Sequence, residues 1–389
     1  MEQMVYFWEE MNSFSTHRHR HPHRRIGRYH QVARILARHG FGWLLSQLGL
    51  DRLVRFRGGI LGRGARTLHT PAEHLRLALE ELGATFVKLG QILSTRSDLL
   101  PPEYIAELSR LQDAVPPEPF HVVEAQVRAE LGKLPSELFA EFETAPIGSA
   151  SIGQVHAARL PTGEDVVVKV RRPGVEELVE EDLAILRDLA RLAAGRTVWG
   201  QIYDLPGLVD EFAATIEEEL DYLREGRNAD RFRHNFAGMP QLRVPVVHWR
   251  YTSRGVLTME RLRGIKIDDL ESLAKAGHDR KALAHAGTRV VLKMVLEDGF
   301  FHADPHPGNF LVMEDGAIGL LDCGMVGQID EATREGLLYL LLAIANHDME
   351  RVVDQLAALG VAGTAVQMDR LRRDLSRLLS LYWGLPLKE

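Results

Sequence analysis

The chain contains 389 residues, of which 45% are hydrophobic, and it carries a formal net charge of −7. This length allows two or more packed units, and the acidic balance argues against nucleic acid as a partner. The single cysteine, Cys323, excludes an internal disulfide framework and fits a reducing compartment.

Hydropathy sets the expected location of the protein. No run of the sequence approaches the ~18 consecutive apolar residues that a membrane-spanning helix needs. The N-terminus also lacks the apolar stretch of a secretory signal. We therefore expect a cytoplasmic protein, with peripheral contact with a membrane as an alternative. The longest apolar run, residues 337–345, predicts a buried helix.

The N-terminal part divides into a basic tail and a helical extension. Residues 1–30 are expected to be disordered, because His and Arg crowd into residues 17–28 and like charges repel. The apolar residues of 29–53 predict short helices that either pack on the main domain or lie on a membrane surface. Thr70 and Glu73 form a predicted capping box with Pro71 between them. An apolar stripe follows, with a break expected at Gly83: Leu75, Leu79, Leu82, Phe86, Leu89 and Leu93.

Residues 148–155 read G-S-A-S-I-G-Q-V, which differs from the phosphate loop G-x-G-x-x-G-x-V of kinases only at its middle glycine. Glycines in such a loop let backbone N–H groups approach phosphate oxygens. Alanine at the middle position predicts a stiffer loop. The predicted nucleotide-binding residues here are Gly148, Ser149, Ala150, Ser151, Ile152, Gly153, Gln154 and Val155.

A β-strand rich in branched residues follows and ends in Val-Val-Lys169-Val, where the lysine would hold the α- and β-phosphates. Such a lysine needs a carboxylate partner from a helix. We predict a helix over residues 208–227, with Glu225 as the partner and Glu219 as the alternate. A later strand leads into Met259 and Glu260, where backbone groups of a hinge would meet adenine.

Residues 302–310 read H-A-D-P-H-P-G-N-F, and L-D-C-G follows at 321–324. A kinase catalytic loop has the same H-x-D-x-x-x-x-N spacing, followed by D-x-G. Asp304 then orients the acceptor hydroxyl or a water, while Asn309 and Asp322 bind Mg²⁺. The turn at 314–316 lies between two apolar runs and predicts a β-hairpin that brings Asn309 and Asp322 to one end.

One further segment, K-L-G-Q at 88–91, is not explained by kinases in general, and it occurs together with A-S-I-G-Q-V-H at 150–156 and E-L-D-Y at 219–222. With these motifs the chain closely resembles the UbiB family of atypical kinase-like proteins, from about residue 29 to its last residue. The resemblance implies a regulatory role for Lys88, Gly90 and Gln91, which would cover the place where a protein substrate binds. It also implies that Lys88 and Gln91 meet Glu219 and Asp221.

The resemblance implies an α+β, bilobal protein-kinase-like fold that is mostly helical and carries an N-terminal helical extension. The expected domains are a disordered basic tail (1–30), the helical extension (31–118), an N-lobe (119–262) and a C-lobe (263–389). Many relatives continue beyond this point into membrane-spanning helices, so the sequence leaves open whether the C-lobe of this chain is truncated.

The implied function is that of an ATPase or phosphotransferase that uses ATP and Mg²⁺ and supports isoprenoid quinone or lipid metabolism. A lipid or quinone precursor is the implied second ligand. The short interval between Gly324 and the helix predicted from Asp330 leaves no room for a peptide-docking activation segment. Cys323, where kinases usually have Phe, reduces the packing behind Asp322. Two alternatives stay open: a small-molecule kinase of the aminoglycoside or choline type, and a non-catalytic nucleotide-binding scaffold.

Overall fold

The computed structural model describes residues 22–50, 69–111 and 115–360, together with Arg373, Asp374 and Arg377. Contacts between Cα atoms divide the chain into two units. Unit 1 is Met1–Arg224 with Val247–Arg261, and unit 2 is Glu225–Val246 with Leu262–Glu389. The segment Glu225–Val246 therefore packs with unit 2, although it falls inside the range that we assigned to the N-lobe.

Unit 1 is helical at its N-terminal end and has a small antiparallel sheet. Its helices are α1 Pro22–Leu36, α2 Gly42–Gln47, α3 Pro71–Leu82, α4 Ala84–Ser94, α5 Pro102–Leu108, α6 Phe120–Leu131, α7 Pro135–Leu138, α8 Val175–Arg196, α9 Val198–Ile202 and α10 Leu205–Glu219. Its strands are β1 Glu141–Phe142, β2 Gly148–Ser149, β3 Gly153–Arg159, β4 Asp165–Arg171 and β6 Val256–Glu260. The strand order is β1-β3-β4-β6, with β2 paired to β3.

Helix α1 begins at Pro22, so the expectation of disorder is wrong for residues 22–30; residues 1–21 lie outside the described residues. Long-range contacts hold this helix. The Arg28 guanidinium donates to both carboxylate oxygens of Asp182 on α8, at 2.7 and 3.0 Å, and to the Leu82 carbonyl at 2.6 Å. Tyr29 is buried and donates to Asp188. Of the two alternatives for the apolar residues of 29–53, packing on the domain is observed for Val32, Ile35 and Leu45, while residues 51–53 lie outside the described residues.

The two helices after residue 70 begin and end where local sequence rules place them. The hydroxyl of Thr70 accepts from the N–H of Glu73, and the Glu73 carboxylate accepts from the N–H of Thr70, which completes the capping box. Gly83 has a φ of 98°, so α3 ends there and α4 begins. The predicted stripe packs into the main core of unit 1 with α8 and α10. A second core lies between α6 and the sheet, around Val127, Val166 and Val168.

Unit 2 combines the hairpin with helices. Its strands are β5 Leu242–Arg243, β7 Ile265–Lys266, β8 Phe300–His302, β9 Phe310–Val312, β10 Ile318–Leu320 and β11 Val326–Gln328. Its helices are α11 Tyr222–Asn235, which starts three residues before the unit does, α12 Leu270–Lys275, α13 Arg280–Leu292, α14 Glu331–Ala345 and α15 Met349–Ala358. The predicted hairpin is confirmed, because β9 and β10 pair antiparallel with Leu320 opposite Phe310. Helices and mostly antiparallel sheets, in which only β5 and β10 of the described strands pair in parallel, together give the predicted α+β fold.

Two helix predictions were wrong. The helix expected over 208–227 is broken between Glu219 and Tyr222, because Asp221 accepts the N–H of Leu223 and thereby starts α11 as a new helix. The apolar run at 337–345 is helical but mostly exposed. Tyr339 on α14 is 56% exposed, and Ala343 is the buried residue of that helix. An apolar run predicts a helix face that can be buried, but it does not identify the element that would pack against that face.

Candidate functional site

The hairpin of unit 2 carries the predicted metal ligands at its open end. The N–H of Leu321 donates to the Asn309 carbonyl at 2.9 Å, so the pairing extends beyond the strands and Asp322 lies beside it. Nδ2 of Asn309 donates to the Asp304 carbonyl at 3.1 Å and to Oδ2 of Asp304 at 3.4 Å. Asp304, Asn309 and Asp322 therefore lie together, while their roles as acid and metal ligands stay predictions.

His302 joins the catalytic loop to the segment that contains Asp322. Its Nε2 donates to the Asp322 carbonyl at 2.9 Å, and its Nδ1 accepts the N–H of Asp304 at 3.1 Å. These two bonds require the tautomer with its proton on Nε2. The ring is 7% exposed, so water does not compete strongly for either bond. We had not predicted this positioning role, although the histidine of H-x-D signals it.

Two residues of α11 hold the Asp-Cys-Gly segment. Oε1 of Glu225 accepts the N–H of Cys323 at 3.4 Å, and Nδ2 of Asn228 donates to the Cys323 carbonyl at 2.9 Å. Glu225 and Asn228 are three apart on the helix, so they face the same side. Both are buried, and so is Cys323. Sequence analysis missed Asn228, whose only local signal is its spacing from Glu225.

The donor atoms of this site fit Mg²⁺, which prefers hard oxygen ligands. Asn309 uses its amide nitrogen towards Asp304, which leaves the amide oxygen as its cation-binding atom. Oδ1 of Asp322 accepts the N–H of Gly324 at 2.8 Å, which fixes the orientation of the carboxylate. Protein sites usually give Mg²⁺ one or two carboxylates and fill the remaining positions with water and phosphate oxygens. Among the described residues, no group of three or more His, Cys, Asp or Glu is arranged to hold a metal ion.

The predicted phosphate loop of unit 1 is a tight β-hairpin. Gly148 pairs with Val155, and the N–H of Ala150 donates to the Gly153 carbonyl at 2.8 Å. That N–H is therefore not available to phosphate in this conformation. The side chains of Ser151 and Ile152 at the tip are buried, and Ile152 belongs to the main core. Any contact of the tip with a nucleotide must therefore come from its backbone groups.

Arg172, which sequence analysis missed, fixes this hairpin. Its guanidinium donates to the Ala150 carbonyl at 3.0 Å and to the Ser149 hydroxyl at 2.9 Å. It also donates to Glu118 at 2.7 Å and to the Pro116 carbonyl at 2.9 Å. One side chain thus ties the loop to the segment before α6. The sequence signal was weak, because an arginine just beyond a strand is usually solvated.

Gln154 and His156 form a buried hydrogen-bond chain that explains their place in the loop motif. The N–H of Glu118 donates to Oε1 of Gln154 at 2.8 Å, and Nε2 of Gln154 donates to Nε2 of His156 at 2.8 Å. Nδ1 of His156 then donates to the Glu143 carbonyl at 2.8 Å. Burial lowers the pKa of His156, which keeps its Nε2 an acceptor. The side chain of Gln154 is therefore engaged in structure, and its predicted nucleotide contact is left to its backbone.

Lys169 lies on the central strand β4, opposite Val155 on β3 and Leu257 on β6. Burial alternates along β4, with Val166, Val168 and Val170 packed in the core and Lys169 on the other face. Lys169 belongs to unit 1 and Glu225 to unit 2, so their pairing stays a prediction.

Met259 and Glu260 end strand β6, at the point where the chain passes from one unit to the other. Met259 is 2% exposed, and Glu260 is the last residue of the strand. The second segment of unit 2 begins two residues later, at Leu262. This position suits a hinge, and the predicted contact of these two residues with adenine stays a prediction.

The K-x-G-Q residues lie on α4. Nζ of Lys88 is 2.9 Å from Oε1 of Glu219 at the end of α10, and the two side chains are 15% and 11% exposed. This is the contact that the resemblance implies, while its inhibitory role stays a prediction. Gln91 donates to the Leu111 carbonyl at 3.3 Å, and Asp221 caps α11, while the expected contact of Gln91 with Glu219 and Asp221 stays a prediction. A Cβ on Gly90 would lie 2.3 Å from the Leu111 side chain, so glycine allows the close packing there.

Comparison with known proteins agrees with this geometry. Residues 110–356 match the model of the ABC1 atypical kinase-like domain. The chain is 40% identical over 333 residues to "Probable protein kinase UbiB" of Pseudomonas fluorescens, over 85% of this chain and 61% of that protein. It is 41% identical over 308 residues to "Protein ACTIVITY OF BC1 COMPLEX KINASE 7, chloroplastic" of Arabidopsis thaliana, over 79% and 44% of the two chains. It thus spans about half the length of such curated relatives.

An uncharacterized Synechocystis protein is 46% identical over 319 residues, which cover 82% of this chain and 54% of that protein. Among solved structures, the complex of Rv3197 with erythromycin from Mycobacterium tuberculosis aligns with a TM-score of 0.54 at 27% identity, over 79% of each chain. Within the described residues, no helix is both long and apolar enough to cross a membrane. The domain match over most of the chain, and the identities of about 40% to UbiB-type proteins, show that this chain belongs to the ABC1/UbiB family of atypical kinase-like proteins.

Proposed function

We propose that the protein binds Mg-ATP and either hydrolyses it or transfers its terminal phosphate to a small or lipid-like acceptor. The observation that carries this proposal is the grouping of Asp304, Asn309 and Asp322 by the bonds of His302 and Leu321. Membership in a kinase-like family supports the same reaction class. A role in isoprenoid quinone or lipid metabolism is supported by the family resemblance alone.

Each proposed role follows from the chemistry of phosphoryl transfer. Asp304 accepts a hydrogen bond from the attacking water or hydroxyl and orients it. Asn309 and Asp322 hold Mg²⁺, and the bound ion would neutralise charge on the phosphate oxygens. Lys169 binds the α- and β-phosphates. The fixed backbone of the Asp-Cys-Gly segment keeps the Asp322 carboxylate in place, which favours a preorganised metal site.

The test is Mg²⁺-dependent ATP turnover by wild type and by Asp322→Asn, which keeps the shape of the side chain and its bond to Gly324. We expect turnover to fall about 100-fold or more, equal to about 2.7 kcal/mol of transition-state stabilisation. Glu314→Gln, in the exposed turn at the other end of the hairpin, is the matched control and should retain wild-type turnover. Equal turnover in wild type and Asp322→Asn would refute the proposal.

Two measurements on the same variants separate the rival functions. A non-catalytic scaffold would show a higher melting temperature with Mg-ATP but no turnover, because a ligand that binds only the folded state stabilises it. A small-molecule kinase would hydrolyse little ATP on its own. Once its acceptor is added, it would transfer phosphate at a rate that rises with the acceptor concentration. Turnover that lipid extracts raise, without aminoglycosides or choline, supports the lipid-directed form of the proposal.

A further inference from the structure

An apolar cavity lies within unit 1 among α1, α2, α4, α8 and α10. Its volume is about 320 Å³, within the range of roughly 300–1,000 Å³ that is typical of small-molecule pockets. Sixteen of the nineteen described residues that line it are Leu, Ile, Val, Ala or Phe. The other three are Arg96, Thr215 and Glu211. Such a lining favours a hydrocarbon, because few groups in it can replace the hydrogen bonds that a polar ligand would lose on leaving water.

The polar groups at the rim select against an anionic ligand. The Arg96 guanidinium donates to both carboxylate oxygens of Asp98, with Nε and Nη2 each at 2.9 Å from its nearer partner. Nη1 of Arg96 lies 4.0 Å from Glu211, which is 71% exposed. One cation thus faces two carboxylates, so the described part of the rim offers no uncompensated positive charge to the carboxylate of a fatty acid or to a phosphate head group.

We propose that this cavity binds one uncharged amphiphile with a flexible aliphatic chain of the prenyl or alkyl type. The chain lies among the leucines, and a neutral polar head lies at the rim formed by Arg96 and Glu211. The volume limits the occupant to a single chain. The site is separate from the residues assigned to ATP and Mg²⁺, so it can be tested without any measurement of turnover.

Helices α4 and α10 connect the cavity to the Lys88–Glu219 ion pair. On α4, Ile92 lines the cavity one helical turn after Lys88. On α10, Thr215 lines it one turn before Glu219. A bound chain therefore packs against the two helices that the ion pair joins. Binding of the chain and formation of the ion pair should consequently stabilise each other, since linkage between two sites is reciprocal.

The first experiment is calorimetric titration of the full chain with octanol, decanol and dodecanol, and with octanoate, decanoate and dodecanoate. Each buried methylene should tighten Kd about fourfold, so each step of the alcohol series should tighten it about fifteenfold until the cavity is full. Each carboxylate should bind about tenfold more weakly than its alcohol. A lower Kd for farnesol than for dodecanol indicates a prenyl occupant, and a lower Kd for dodecanol indicates an alkyl occupant. Binding without dependence on chain length, or carboxylates that bind as well as alcohols, overturns the proposal.

Cavity-filling variants locate the binding. Ala193→Phe on α8 places a ring in the cavity and should abolish binding of dodecanol, while the melting temperature is kept or raised. Ala184→Phe adds the same ring to the opposite face of α8, and should leave Kd unchanged. If Ala193→Phe fails to fold, Val209→Phe on α10 fills the cavity from its other side. Unchanged binding in a folded filling variant overturns the assignment.

The linkage has its own test. In the double variant Lys88→Met with Glu219→Gln, which removes both charges, Kd for dodecanol should rise about fivefold or more. The same Kd in this variant and in wild type would overturn the linkage. ATP turnover enters neither measurement, so failure of the proposed function and failure of this site give different results.

Discussion

The Lys88–Glu219 ion pair yields a quantitative prediction for the stability of unit 1. At 2.9 Å the two charges attract by about 6 kcal/mol at an effective dielectric constant of about 20. Both side chains are mostly buried, at 15% and 11% exposure, so desolvation offsets much of this attraction. We expect a net coupling energy of about 2 kcal/mol, within the usual range for contacting residues.

The assay is a double-mutant cycle of urea unfolding with Lys88→Met, Glu219→Gln and the combined variant. The control cycle uses Arg187→Met and Asp210→Asn. This ion pair joins α8 to α10, with an N–O distance of 3.0 Å. Its side chains are 36% and 66% exposed, so we expect a coupling of about 0.5 kcal/mol. In 1 M salt the exposed pair should lose most of its coupling, and Lys88–Glu219 should keep most of it. A coupling for Lys88–Glu219 no larger than that of the control pair would refute this reasoning.

Three further predictions concern the packing and hydrogen bonds of unit 1. Gly90→Ala should destabilise the protein by about 1 kcal/mol in urea unfolding, because overpacking outweighs the higher helix propensity of alanine. Gly195→Ala, where a Cβ meets nothing within 4 Å, should stabilise the protein by about 0.5 kcal/mol. If the two glycine substitutions changed the free energy of unfolding in the same direction, that result would contradict the packing argument. His156 has a lowered pKa in the folded state, so its contribution is complete above the unfolded pKa of about 6.5 and is lost as the pH falls below it. His156→Gln should flatten that part of the curve of unfolding free energy against pH, and an unchanged slope would count against the role of His156. Arg172→Lys should destabilise the loop by about 2 kcal/mol, because bonds of the guanidinium are lost. The loss should appear as faster amide hydrogen exchange at residues 149–153. Unchanged exchange rates would show that the bonds of Arg172 to the loop are dispensable.

The position of α1 shows why the basic N-terminal region was misjudged. A block of His and Arg is usually solvated, and local sequence gives no sign that Arg28 meets Asp182, a residue 154 positions away. The exposed face of α14 is the opposite case, in which the described part of unit 2 leaves most of an apolar run uncovered. Both errors, at α1 and at α14, concern which surfaces pack against each other, and that depends on the whole fold.

Local chemistry alone determined a large part of this protein. The capping box at Thr70, the break at Gly83 and the β9–β10 hairpin each depend on residues within a few positions of one another, so the sequence was sufficient to predict them. Spacing within one loop likewise predicted Asp304 and Asn309 as neighbours. Tertiary structure decided the contacts that hold these parts: His302 between Asp304 and Asp322, Asn228 on Cys323, and the four bonds of Arg172. Apart from the bond between His302 and Asp304, these contacts join segments 20 or more residues apart in the chain, so the sequence signals them only weakly.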